Sequence, residues 1–258
     1  MAAQPESCTA SRAGRSVHLL GNLRVDMNGA VPAVPEGSKR LLVFLAVQHR
    51  RVGRKWVAAL LWPDGNDERA AGNLRSSLWR LRGAGIDVLD TDKWSIGLAE
   101  DVLIDIESVD QWAGRVIRGR GGDEDLQIHP WCVEALDLLP GWYEDWMIMT
   151  RERLRHRVLH ALEALSRCLS EGKRHDEAVE AAMLAARAEP FRDSAQRVLI
   201  AAHLAEGNWI EGQRSCRVYL DMLRRDLGIE PPSDLADFLA RPWQFTGARQ
   251  SVGSGILR

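Results

Sequence analysis

The chain has little cysteine and none of it paired: Cys8, Cys132, Cys168 and Cys216 are scattered over 258 residues. With no C-x-x-C and no clustered histidines, no metal-ligand spacing exists, and the four read as reduced thiols. Also missing is any apolar run near the roughly 20 residues that cross a bilayer. The opening MAAQPESCTASRAGR lacks the apolar stretch of a secretory signal. A soluble protein of the cytoplasm, without membrane contact, is the expectation. Nucleophile elbow, P-loop, H-E-x-x-H and a G-x-G-x-x-G after a strand are all absent. Gly119-Arg120-Gly121-Gly122 reads as a linker, and His156, His160 and His203 have no Cys or carboxylate at ligand spacing. The expectation is therefore no enzyme, no metal and no cofactor.

What is present is an uneven charge. The net charge is −2, yet residues 1–100 carry 14 Lys+Arg against 10 Asp+Glu, which leaves 20 against 26 for the remainder. Residues 39–82 alone hold 10 basic and 3 acidic side chains, a local excess of +7 that matters to a polyanion. Length suggests one or two domains, and the shift in charge argues for two.

Residues 1–15 are small and polar, a composition that cannot bury enough surface to order itself, and are expected to be a disordered tail. From Ser16 the pattern is strand-like: Val17, Leu19 and Leu20, then Leu23, Val25 and Met27, a turn at Asn28-Gly29, and Val31 to Val34. Ser38 is placed to cap a helix with the stripe Leu41, Leu42, Leu45 and Ala46, ending near His49. Gly53 leads into a second helix with Trp56, Val57, Leu60 and Leu61 inward, closed by Trp62-Pro63. Asn66 or Asp67 then caps a third. After Gly83 and Gly85, alternation returns in Ile86, Val88 and Leu89, a tip at Asp90 to Lys93, and Trp94, Ile96 and Leu98. A hairpin after a third, basic helix has the order of a winged helix. Its tip counts against DNA, because Asp90 and Asp92 outweigh Lys93.

The third helix, residues 66–82, carries two stripes. Ala71, Leu74, Leu78 and Leu81 share one face at helical spacing. Arg69, Gly72, Asn73, Ser76, Trp79 and Arg80 fall opposite, flanked by Arg75 and Arg82. Such a face suits a DNA groove, with Arg69 and Asn73 at base edges and Arg75 and Arg80 on phosphates. Lys39, Arg40, Arg54, Lys55 and Lys93 complete the candidate DNA-binding set. A surface helix with solvated arginines is the alternative. Of the ten tryptophans, Trp56, Trp62, Trp94, Trp142 and Trp146 lie on apolar faces or beside turns and are expected mostly in the core, with Trp79 the exception.

From Asp105 onward the reading is helical, broken by GRGGDED, read as a mobile linker. Glu177-Ala178 and Glu211-Gly212 stand 34 residues apart, each shortly after a Glu-Gly pair, the period of tetratricopeptide hairpins. Generic helical packing remains open. Gly212 sits where that repeat usually has alanine, which predicts a looser helix.

The run WPDGNDERAAGNLRSSLWRLR, between a strand-rich start and KWSIGLAEDVLIDIESVDQW, resembles the OmpR-like winged helix of the SARP family of actinobacterial antibiotic regulators. LDLLPGWYEDW, GKRHDEAV, AEPFRDSAQRVLIAAHLAEGNW and RRDLGIEPPSDL resemble that family's bacterial transcriptional activator domain, so the likeness spans about residues 17–240. It implies a mainly α chain with a small β component: a winged helix-turn-helix over 16–105, TPR-like helices over 106–245, and a disordered tail over 246–258. It further implies a transcriptional activator, nucleoid-associated, that dimerises on promoter direct repeats, recruits RNA polymerase holoenzyme and controls antibiotic biosynthesis. The rival expectation is a TPR-like adaptor whose winged helix no longer binds DNA.

Overall fold

The computed structural model describes residues 14–230 and 232–240. The expectations for the tails fall almost entirely on residues outside that range. Arg15 does not: the first strand begins there, and its guanidinium pairs with Asp101.

The described chain is mainly helical with two small sheets, and it groups into two compact units. Residues up to Gln111 and His129–Arg155 form the first; Trp112–Ile128 and the chain from His156 onward form the second.

In the first unit, β1 (Arg15–His18) pairs antiparallel with β2 (Arg24–Met27) and parallel with β6 (Leu103–Ile104), giving the order β2-β1-β6. Asn28 and Gly29, with φ of 58° and 92°, make the tight turn that the sequence signals, closed by Met27 and Ala30. Its second arm is a single bridge at Ala30, and residues 31–34 form no strand. The third strand comes instead from far along the chain, where Ile104 of β6 pairs with Val17 on the side away from β2. The carboxylate of Asp105 ties this sheet together by accepting from the backbone N–H groups of Leu19, Leu20 and Ile106.

Three helices follow. α1 (Glu36–Gln48) buries Leu41 through Val47 without a break, so it is the central helix of this unit and not the one-sided helix its stripe suggested. Pro35 precedes it with no side-chain cap, and His49 ends it in the left-handed region. Ser38 is therefore not a cap: it is buried, and its hydroxyl donates to the Ser77 carbonyl at 3.0 Å. α2 (Arg54–Leu61) turns Val57, Ala58 and Leu61 inward and stops at Trp62, as the following proline requires. Trp56 is inward on one side only, its ring 5.5 Å from that of Phe44 with 48% of the residue exposed, and Leu60 is exposed. α3 (Asp67–Gly83) completes the trio. The three pack around Phe44, Val57, Leu61, Leu74 and Leu78. Strands β3 (Val52–Gly53), β5 (Ser95–Leu98) and β4 (Leu89–Thr91) form the second sheet in that order, so the hairpin after α3 is the wing of a winged helix-turn-helix. Residues 129–155 add to the same unit, where Trp146 meets Phe44 edge-on at 5.2 Å.

α4 (Asp105–Ile117), α5 (Trp131–Leu136) and α6 (Asp145–Glu171) lead to the second unit. There α7 (His175–Ala188), α8 (Asp193–Glu206) and α9 (Trp209–Met222) stack in sequence, followed by a π-helical turn (Leu223–Leu227) and α10 (Ser233–Ala240). α7 and α9 are both 14 residues long and start 34 residues apart, so the sequence period is a period of helices. Gly212 is buried, and a Cβ there would come within 3.1 Å of Leu204 Cδ2. The glycine is a point of close helix approach, not a loose spot. The GRGGDED stretch is also tied down: Asp125 accepts from Arg115 at 2.8 and 3.0 Å and from the Gly122 N–H at 3.1 Å. Glu163 is buried between Arg192 (2.6 Å) and Ser194 (2.8 Å), which satisfies its charge inside the helical stack.

Candidate nucleic-acid interface

α3 starts where the Asn66 side chain accepts the Arg69 N–H at 2.9 Å, with Asp67 and Glu68 in its first turn and Arg80 and Arg82 in its last, the charge order that complements a helix dipole. Its buried residues are Ala70, Leu74, Ser77, Leu78 and Leu81. Ala71, expected inside, is only half-buried. The helix is rolled toward Ser77 because small residues face each other there: the Ser77 hydroxyl donates to the Gly37 carbonyl at 3.0 Å, and Ser38 returns the bond. The sequence held that signal in the Gly37-Ser38 pair and in Ala70 and Ser77 seven residues apart, but small polar residues do not register in an apolar stripe.

Advancing about 100° per residue from that buried arc, the opposite arc centres on Gly72, Ser76, Trp79 and Gly83. Arg69 and Arg80 border it on one side, Arg75 and Arg82 on the other. Ser76, Trp79 and these four arginines are exposed, Trp79 by 75%. Asn73 is half-buried and stands on the edge beside Arg80. The Arg80 guanidinium lies over Gly37, where a Cβ would come within 2.7 Å of Nη1.

The wing tip differs from its appearance in the sequence. Asp92 accepts from the backbone N–H groups of Trp94 (2.6 Å) and Ser95 (2.8 Å), from the Ser95 hydroxyl (2.8 Å) and from Arg51 Nη2 (2.7 Å). These bonds, the backbone ones foremost, hold its carboxyl well below the usual range. Arg51 also pairs with Asp90. One guanidinium from the start of β3 thus answers both acids, and the tip is not the repulsive point that a local count made it. The Arg54 N–H donates to the Trp94 carbonyl at 2.9 Å, and its guanidinium reaches the Asp92 carbonyl at 3.4 Å. Lys93 lies over the Trp94 ring, 4.8 Å from its centroid, and Trp94 is 73% exposed instead of being core. Arg82 reaches Thr91 at 3.4 Å, linking the end of α3 to the wing.

The remaining candidates divide. Lys55 is exposed at the start of α2, beside Arg54. Lys39 pairs with Glu36 at 2.6 Å. Arg40 donates to the Leu61 carbonyl at 3.0 Å and pairs with Glu144 at 2.8 Å, so its guanidinium is occupied within the fold. Both line a groove of about 540 Å³ that includes Asn22, Trp142 and Glu144 but no residue of α3. The candidates brought together are therefore Arg69, Asn73, Arg75, Ser76, Trp79 and Arg80 on α3, and Arg54 and Lys93 at the wing. Among the described residues no helix is long and apolar enough to cross a membrane, and no group of three or more His, Cys, Asp or Glu is placed to hold a metal.

Residues 125–240 match the family model described as the bacterial transcriptional activator domain. The fold of the chain is similar to that of Mycobacterium tuberculosis EmbR, solved in complex with a low-affinity phosphopeptide, at a TM-score of 0.62 and 18% identity. That likeness covers 88% of this chain and 64% of the EmbR chain, so this chain spans less than two thirds of that protein. A search of curated proteins finds no match. The match over residues 125–240 supports the SARP-type resemblance read from the sequence, and the likeness to EmbR is one of fold.

Proposed function

We propose that this chain is a SARP-type transcriptional activator whose winged helix binds promoter DNA and whose activator domain makes protein contacts, RNA polymerase holoenzyme among them. The observation that carries the reading is the outer arc of α3: small residues and Trp79 along its centre, arginines along both borders, and no acidic side chain after Glu68. A helix so built enters a major groove with its small residues at the floor and its guanidinium groups at the two phosphate walls. Arg69 and Asn73, nearest the N-terminus, are assigned to base edges, and Arg75 and Arg80 to phosphates. Binding as a dimer on direct repeats, location at the nucleoid and control of an antibiotic cluster belong to the same proposal and rest on the family resemblance. The adaptor reading drew on the acidic tip; with Arg51 paired to Asp90 and Asp92, the tip has no acidic excess once Lys93 is counted, which favours the DNA-binding reading.

The test is anisotropy of a labelled promoter duplex across a salt series. Binding weakens steeply with salt, each phosphate contact adding about 0.9 to the logarithmic slope. Arg80→Ala weakens all sequences alike and lowers the slope, whereas Asn73→Ala costs about 1 to 3 kcal/mol and relaxes preference at one position. Wild-type affinity and preference in both variants would refute the assignment of this face.

A further inference from the structure

We propose that Trp94 is a DNA-contacting residue of the wing, its ring packing on the deoxyribose sugars beside the α3 site while Lys93 and Arg54 meet the adjoining phosphates. This rests on the DNA-binding reading above and adds to it a contact that reads no base.

Three observations carry it. The ring is large, apolar and 73% exposed, although the turn bearing it is rigid. Asp92 receives four hydrogen bonds there, and the Trp94 carbonyl is held by the Arg54 N–H. With its backbone held, Trp94 has only its two side-chain torsions to lose on contact, so a large ring is ordered at little entropic cost. The second observation is charge: Lys93 lies over the ring and Arg54 sits at the base of the turn, while Asp90 and Asp92 are answered by Arg51. An apolar plate beside two cations is complementary to a sugar–phosphate wall. The third is what the tip does not offer. Its uncharged polar side chains are engaged within the fold, Thr91 accepting from Arg82, and Ser95 accepting from Arg51 and donating to Asp92. The apolar ring and its cations are left to face outward, and they suit the backbone, not base edges. The link from Arg82 to Thr91 sets the plate next to the helix it supports. Arg51 is a positioning residue here: it holds Asp92 in the turn, and its single positive charge together with that of Lys93 offsets the two carboxylates that would repel the phosphates.

The experiment uses the full chain, with the promoter duplex and a random duplex of equal length, and compares wild type, Trp94→Ala, Trp94→Phe and Trp79→Ala by anisotropy and hydroxyl-radical footprinting. Removing the ring is expected to weaken both duplexes by about tenfold, the order that burial of part of an aromatic face supplies. The ratio between the duplexes stays unchanged, and protection is lost at sugars flanking the α3 site. Trp94→Phe recovers most of the loss. An unchanged melting temperature in Trp94→Ala confirms that the exposed ring is not structural. Wild-type affinity in Trp94→Ala while Trp79→Ala loses binding overturns this proposal and leaves the DNA-binding reading standing. A changed cognate-to-random ratio overturns the sugar-wall assignment in favour of base contact. No binding of either duplex by the wild type overturns both.

Discussion

Leu78 and Trp79 are neighbours in sequence with opposite fates, and substituting each separately tests the whole placement of α3. Leu78 is 8% exposed and packs in the cluster with Phe44, Leu61 and Leu74. Truncation to alanine removes its buried branched end and leaves a cavity between α3 and its neighbours, at a cost of about 2 to 5 kcal/mol; slight residual exposure on the helix flank favours the middle, about 3. Trp79 has three quarters of its surface in solvent. Its removal changes stability by no more than about 0.5 kcal/mol. In a complex the same ring has roughly 150 Å² to bury, and half of that at about 25 cal/mol/Å² is near 2 kcal/mol, or a loss of affinity of about thirtyfold. Urea unfolding followed by circular dichroism, beside anisotropy on the promoter duplex, separates the two effects. Leu78→Ala shifts the unfolding midpoint and retains binding below the transition; Trp79→Ala does the reverse. An equal fall in both midpoints, or no fall in Leu78→Ala, would show that α3 is not rolled as described.

Other outcomes follow from the same structure. Burial pushes Asp105 up to about 6, against the N–H bonds from Leu20, Leu19 and Ile106 that favour its charged form; Glu134 adds to the rise. The unfolded carboxyl titrates near 3.9, so the folded form holds the proton more tightly between about pH 4 and 6. Stability from this group is full below that window and lost as pH rises through it, on the order of 2 to 3 kcal/mol. Unfolding profiles of wild type and Asp105→Asn should diverge across the window, and parallel profiles would remove Asp105 as the source. Glu163→Ala leaves the partly buried Arg192 without its carboxylate and should cost about 3 kcal/mol in the helical unit, the low end for breaking a buried pair; a loss below about 1 would mean the pair opens to water. A fragment ending at Asp105 lacks Trp146 and Glu144, which pack on Phe44 and pair with Arg40, so it should melt well below a fragment ending at Arg155. Equal melting temperatures would show that residues 106–155 add nothing to the stability of the first unit.

The sequence by itself determined whatever depends on neighbours within a few turns. The Asn28-Gly29 turn, a cap at Asn66 or Asp67, the stop at Trp62-Pro63, the end of α1 near His49, the basic third helix with a hairpin after it, and the 34-residue period were all legible, because each rests on backbone preference or on a repeat along the chain. The tertiary structure decided the rest. Which face of α3 is sealed depends on Gly37 and Ser38, forty residues away, whose small size lets Ser77 approach. Whether the wing repels phosphate depends on Arg51, which only strand pairing brings to Asp90 and Asp92. Ser38 reads locally as a cap, Gly212 as a weak spot and Trp94 as core, and each reading fails because the relevant partner, or the solvent in its place, is set by packing between distant segments. Hydrophobic burial is non-directional, so periodicity shows that a residue has an apolar side but not what it meets there. Charges and small residues acquire their roles only when the fold supplies their neighbours.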